Sequence, residues 1–221
     1  MGQPAKRLQP TLSKNKDIIL TNADAAGTVG MMRLNCLQPP FNDVRLRLAV
    51  RLAVQQDSYM RASQGDDQSQ WGGCRSLWPQ HTPYYADAGD VVMPGNIEKA
   101  HVALTDAGCG GQRVVVLSAT DVPVQNAFGQ VTADLLTRIG MKVDLQESDW
   151  GTVVQRRTNQ DTIEKGGWSV FHTTGSAVGL GSPGITYVQR GQGPSNSSRH
   201  GSKPRMRLAR SRRQIHWAVY R

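Results

Sequence analysis

Between Arg113 and Gln146 the chain carries a strand, a helix and a second strand with only turns between them. Arg113-Val114-Val115-Val116-Leu117-Ser118 is short and β-branched, the composition of a buried strand. Asp121 and Pro123 then open a helix, because proline's missing N–H costs little in a first turn. Phe128, Val131, Thr132, Leu135 and Ile139 recur at the helical period. Arg138 suits the negative end of the helix dipole, and Gly140 suits the stop. Met141, Val143 and Leu145 next alternate with Lys142, Asp144 and Gln146, as in a strand with two unlike faces. Such a crossover is nearly always right-handed and makes its two strands parallel. The unit commits the chain to an α/β fold.

The flanking segments continue the alternation. Ile18-Ile19-Leu20 and the run Thr28–Asn35 read as two short strands. Pro39 and Pro40 stop the second, and Asn42 or Asp43 can cap a helix whose apolar stripe is Leu46, Ala49, Val50, Ala53 and Val54. Arg45, Arg47, Arg51 and Gln55 fall mostly on its other side. Residues 62–95 read as a long irregular surface loop containing Trp71, Trp78, Tyr84 and Tyr85. Asn96 caps a helix from Ile97 to Ala107, ended by Gly108. A further helix at about 149–158 and a strand at Trp168–His172 follow, and after Gly175 the residues are rich in Gly, Ser and Pro.

Hydrophobic residues make up 38% of the 221, enough for a packed core. No apolar run approaches the ~18 residues of a membrane-spanning helix. Met1–Arg7 leads into polar residues, so no secretory signal is expected in the chain as written. The formal charge of +9 is concentrated at one end: Pro194–Arg221 holds eight basic residues and no acidic one. The body is nearly neutral, so a globally basic nucleic-acid surface is not indicated. Cys36, Cys74 and Cys109 lack metal-ligand spacing and read as buried or free thiols; a Cys74–Cys109 disulfide would need an oxidising compartment.

Catalytic signatures fail on context. Gly108-Cys109-Gly110-Gly111 precedes a strand, whereas a phosphate loop follows one and opens a helix. Gly181-Ser182-Pro183-Gly184 has Leu180 where a nucleophile elbow needs glycine. His81, His101, His172, His200 and His216 show no paired spacing for metal or general-base work. Glu147, Asp149, Asp161 and Glu164 flank a helix and read as solvated ends, and the sequon Asn196-Ser197-Ser198 is a weak signal. No catalytic residue, metal site or cofactor is assigned.

The order of several short segments is more specific. Leu34-Asn35, then Pro40-Phe41-Asn42-Asp43-Val44-Arg45 and a helix, resembles the family 5 extracellular solute-binding proteins of ABC transporters, which serve peptide, dipeptide, oligopeptide and nickel uptake. Glu98-Lys99-Ala100 with Leu104 and Ala107-Gly108, the helix ending at Ile139-Gly140, Val143-Asp144-Leu145 with Asp149-Trp150, and Gly166-Gly167-Trp168 continue the likeness, from about residue 12 to Gly193.

The resemblance implies a periplasmic-binding-protein type II-like lobe, incomplete, with a mixed, mostly parallel sheet and flanking helices. Residues 1–35 would be crossing strands from a missing first lobe, 36–175 the α/β lobe and 176–193 a return segment. Residues 194–221 are expected to be a basic tail, disordered or out of frame. It implies a binding protein and no enzyme, a component that captures peptides or similar small solutes for import and partners ABC transporter permease subunits. As a fragment it would have one wall of a cleft and an exposed strand edge. No nucleic acid is expected as a partner; the alternative is a nucleic-acid or anionic-surface binder acting through the Arg-rich tail. The family is periplasmic, whereas this chain without a signal would stay cytoplasmic. Peptide-binding members anchor the ligand amine with an aspartate three residues after the tryptophan; here that place is Phe171, which favours a ligand without a free α-amine. Trp168, Phe171 and His172 are the implied cleft residues, the rings stacking on ligand and His172 donating a hydrogen bond.

Overall fold

The computed structural model describes residues 8–21, 26–76, 78–87, 93–182 and the strand 215–220. A single helical turn, α1 (Gln9–Leu12), precedes β1 (Thr28–Leu34). The Ile18–Leu20 run is not a strand: it lies exposed, Ile19 at 89%. Three apolar residues between Lys16-Asp17 and Thr21 have no alternation with which to hold a ladder.

The Asp43 carboxylate accepts the Arg45 N–H at 2.8 Å and starts α2 (Val44–Ala53), which buries Leu46, Ala49, Val50 and Ala53. Arg47, expected on the outer side, is buried as well; its Nη1 donates to the Phe41 carbonyl at 2.6 Å, satisfying a group that could not otherwise enter the core. The stretch read as a loop contains more order than its composition announced. α3 (Gln56–Gln64) leads into it, and β2 (Trp71–Gly73) lies within it. Trp71 is buried, with its indole N–H on the Gly65 carbonyl at 2.9 Å. α4 (Ile97–Asp106) is capped by Asn96, whose side chain accepts the Lys99 N–H at 2.8 Å. Gly108 ends it at φ 80°, a left-handed conformation that glycine adopts without a Cβ clash.

β3 (Arg113–Ala119), α5 (Pro123–Arg138) and β4 (Lys142–Ser148) form the expected crossover, and β3 and β4 pair in parallel along their whole length. α6 (Trp150–Arg156), β5 (Val170–Ser176), α7 (Ala177–Leu180) and β6 (Ile215–Tyr220) complete the elements. The six strands lie in the order β2-β6-β1-β5-β3-β4. β5, β3 and β4 run parallel; β1 is antiparallel to β5 and to β6, and β2 to β6. The sheet is therefore mixed, with helices on both faces, as the α/β class requires. Most of the Arg-rich tail lies outside the described residues. Its last segment, expected to be without order, is instead a strand: Ile-His-Trp-Ala-Val-Tyr is rich in β-formers, and its backbone fills the place between β1 and β2.

The larger apolar cluster packs α2, α3, α4 and α5 on one face of the sheet, with Phe41, Tyr59, Met60, Phe128 and Leu136 fully buried. A smaller cluster, under α6, joins Val115, Leu117, Val153, Trp168 and Phe171 on the other face, and a third joins Val29 and Met31 of β1 to Ala177 and Leu180 of α7.

Candidate functional site

The candidate site is framed by the pair β1 and β5. Thr28 opposes Ser176, so β1 begins directly beside the end of β5. β3 stops at Ala119 soon after pairing Leu117 with Phe171, whereas β5 continues to Ser176 beside β1. The two strands thus project together beyond the carboxyl ends of the parallel strands. That edge is where open α/β sheets present ligand sites, because loops leaving the strands diverge there and helix N-termini point at it.

The edge is built from two turns tied to each other. The Thr120 N–H donates to the Ser148 carbonyl at 2.9 Å, and the Asp121 carboxylate accepts the Trp150 N–H at 2.7 Å. Asp149 caps α6, accepting from the Thr152 N–H at 3.0 Å and from the Thr152 hydroxyl. Those bonds, the hydroxyl's foremost, hold the Asp149 carboxyl below its ordinary range, so it is an anion at neutral pH. Trp150, half-exposed, stands at this rim and rests on the apolar cluster under α6. The residue was visible in the sequence only as part of a family pattern; its place directly after a strand is the signal that marks it.

Trp168, Phe171 and His172 sit differently from one another. All three are buried, at 2%, 4% and 2% exposure. Trp168 and Phe171 meet edge to face at 5.0 Å, and the Trp168 indole N–H donates to the Arg157 carbonyl at 3.0 Å. The rings are packed against their own lobe. His172 points to the opposite face, as the period of two along β5 demands. There its Nε2 shares a hydrogen bond of 2.9 Å with the Thr132 hydroxyl, which in turn meets the Tyr59 hydroxyl at 2.9 Å. The Phe128 ring lies 6.0 Å away. Burial lowers the His172 pKa to about 3, so the imidazole is neutral; among the described residues its Nδ1 has no hydrogen-bond partner.

Trp168 is positioned from behind by a tight turn. The Gly167 N–H donates to the Thr162 carbonyl at 2.9 Å, Asn35 donates to the Trp168 carbonyl at 2.9 Å, and Arg156 donates to the Gly166 carbonyl at 3.1 Å. A Cβ on Gly167 would lie 2.1 Å from the Asp161 carbonyl oxygen and 2.7 Å from that of Thr162. Gly167→Ala is expected to lower stability by about 1–3 kcal/mol, because both obstacles are backbone and cannot rotate away. Urea midpoints of the two proteins at equal m-value measure it.

Among the described residues, cavities also lie elsewhere. One of about 540 Å³ is lined by residues including Gln56, Arg75, Gln80 and Asp87. One of about 280 Å³ is lined by Gln38, Pro39, Pro40, Arg113 and Ile163 among others. Cys74 and Cys109 are buried free thiols whose pKa burial raises. Among the described residues no three His, Cys, Asp or Glu side chains are grouped to hold a metal ion, and no helix is long and apolar enough to cross a membrane.

Residues 2–196 match the family model of bacterial extracellular solute-binding proteins, family 5 Middle. The chain belongs to that family. A relative from Sinorhizobium fredii (strain NBRC 101917 / NGR234), a probable peptide ABC transporter periplasmic-binding protein, is 34% identical over 178 residues, 77% of this chain and 32% of its own. The chain thus spans about a third of that relative's length. Among solved structures, the periplasmic binding protein DppA from Helicobacter pylori, in complex with peptide STSA, superposes with TM-score 0.64 at 20% identity, covering 82% of this chain and 33% of its own. The dipeptide binding protein from Pseudoalteromonas sp. SM9913, in complex with Met-Leu, gives 0.62 at 20% identity over 78% and 33%. NikA from Staphylococcus aureus, in complex with Ni(L-His)2, gives 0.65 at 12% identity over 82% and 37%. These likenesses speak for the fold.

Proposed function

We propose that the chain supplies one wall of the ligand cleft of an ABC transporter's substrate-binding component, and that its solute is a peptide or a similar small molecule. The observation that carries this reading is the position of Thr28 opposite Ser176 at the carboxyl edge of the parallel strands. A second lobe joined through these two strands would face that edge, and a solute between them would stabilise closure by touching both. The peptide relative and the peptide-bound neighbours support the solute class. Binding without chemical change, permease subunits as partners and a periplasmic setting belong to the same proposal.

In this reading Trp168 and Phe171 hold the wall from within and Trp150 stands at its surface. His172 fixes β5 to α5 through Thr132. One wall offers roughly half the contacts of a closed cleft, so affinity for the isolated chain is expected near the millimolar range, on the order of 4 kcal/mol. Titrating the 15N-labelled chain with a mixed dipeptide set should move the amide signals of Thr120, Trp150 and Ser176 together and saturably. Saturable shifts confined to the two cavities, with the rim unmoved, would refute the placement.

A further inference from the structure

Arg157, at the end of α6, extends its guanidinium over two rings: it lies 5.6 Å from the centre of Trp150 and 5.8 Å from that of Phe171. The faces of the cation are thereby occupied by aromatic surface, while hydrogen bonding runs in its plane. In that plane it has no partner among the described residues. Its Nε is buried without an acceptor, and among the described residues the guanidinium donates no hydrogen bond and joins no ion pair. Its neighbour behaves otherwise: Arg156 donates to the carbonyls of Gly166 and Gly167. Arg47, also with a buried unpaired Nε, still donates through Nη1 to Phe41.

The stack is held in place. The Arg157 carbonyl takes the Trp168 indole N–H, Phe171 is locked edge to face with Trp168, and Trp150 is fixed at the rim by Asp121. An arginine so immobilised, with its Nη groups unbonded, is preorganised for a planar acceptor with two oxygens. We infer that the Arg157 guanidinium, stacked on Trp150 and Phe171, receives a carboxylate of the bound solute. The inference rests on the cleft reading above and narrows it to carboxylate-bearing solutes. It also gives Phe171 a role other than ligand stacking, since its ring supports the cation that meets the ligand.

The test uses the 221-residue chain labelled with 15N at arginine, following the Arg157 side-chain resonances. The probes are acetate, alanyl-alanine and alanyl-alanine amide. The dipeptide acid should shift Arg157 saturably and bind roughly ten- to a hundredfold more tightly than the amide, the worth of a charge-assisted pair. Arg157→Lys, which keeps the charge but not the planar fork, should bring acid and amide within about threefold of each other, the bidentate contact being lost. Acetate shifting Arg157 while neither dipeptide binds would uphold the carboxylate site and refute the solute reading. Acid and amide binding equally with Arg157 unmoved would overturn the inference and leave the solute reading standing. An Arg157 resonance that no probe moves overturns it as well.

Discussion

Phe128→Ala is expected to lower the unfolding free energy by about 3–5 kcal/mol, the range for deleting a fully buried phenylalanine. Phe128 has no exposed surface and meets Tyr59 at 5.9 Å and His172 at 6.0 Å, both edge to face. It also closes over Gly30: a Cβ there would lie 2.6 Å from the Phe128 ring. The two positions should therefore couple. Gly30→Ala alone drives a methyl into the ring, whereas in the Phe128→Ala background the same methyl enters vacated space and recovers part of the loss. Urea unfolding of the four proteins in the cycle gives the coupling. Additive losses would show that α5 does not seat on β1 through this contact.

Acid should unfold the lobe earlier than its surface carboxylates alone would require, and His172 is the reason. In the folded chain burial lowers the imidazole pKa to about 3, against 6.5 for the exposed group. Above the unfolded pKa neither state binds the proton, and His172 adds no pH dependence. As pH falls through that value the unfolded chain takes up a proton that the folded chain refuses, so stability falls. Between pH 7 and pH 5 the loss is about 2 kcal/mol, reaching about 4 kcal/mol at pH 3, where the folded imidazole itself begins to take up the proton. His172→Gln removes the titration while leaving an amide that can meet Thr132. Its stability should vary with pH less steeply by that amount, whatever its value at pH 7. Equal slopes for the two proteins between pH 7 and pH 5 would sink the assignment.

What the sequence disclosed follows from where its signals were local. The Asn96 cap, the Gly108 stop and the β3–α5–β4 crossover each rest on a few adjacent residues whose chemistry admits little choice, and they stand as read. α3 was missed because it buries only Tyr59, Met60 and Gln64, and its remaining positions are polar with no side-chain cap at Gln55. β2 is three residues, two of them glycine, and owes its existence to a neighbour distant in sequence. The candidate site was legible as a region rather than as contacts. Phe171 and His172 are adjacent on β5 and so face opposite sides of the sheet. Trp168 is aromatic enough for a cleft, but its indole N–H is already engaged by Arg157. The Arg157 stack itself joins residues seven and fourteen positions apart on a helix and a strand, a juxtaposition that only tertiary packing creates.

The adjacency of Thr28 and Ser176 bears on heredity as much as on motion. A globule whose two ends emerge as neighbours can be spliced into, or cut out of, a host polypeptide without stretching either, since closing so short a gap demands little entropy. Thr28 also opposes Tyr220 at the end of β6, so residues 28–220 keep all six strands and still end as neighbours: grafted into a surface hairpin of an unrelated protein, they should leave the recipient's own folding almost undisturbed.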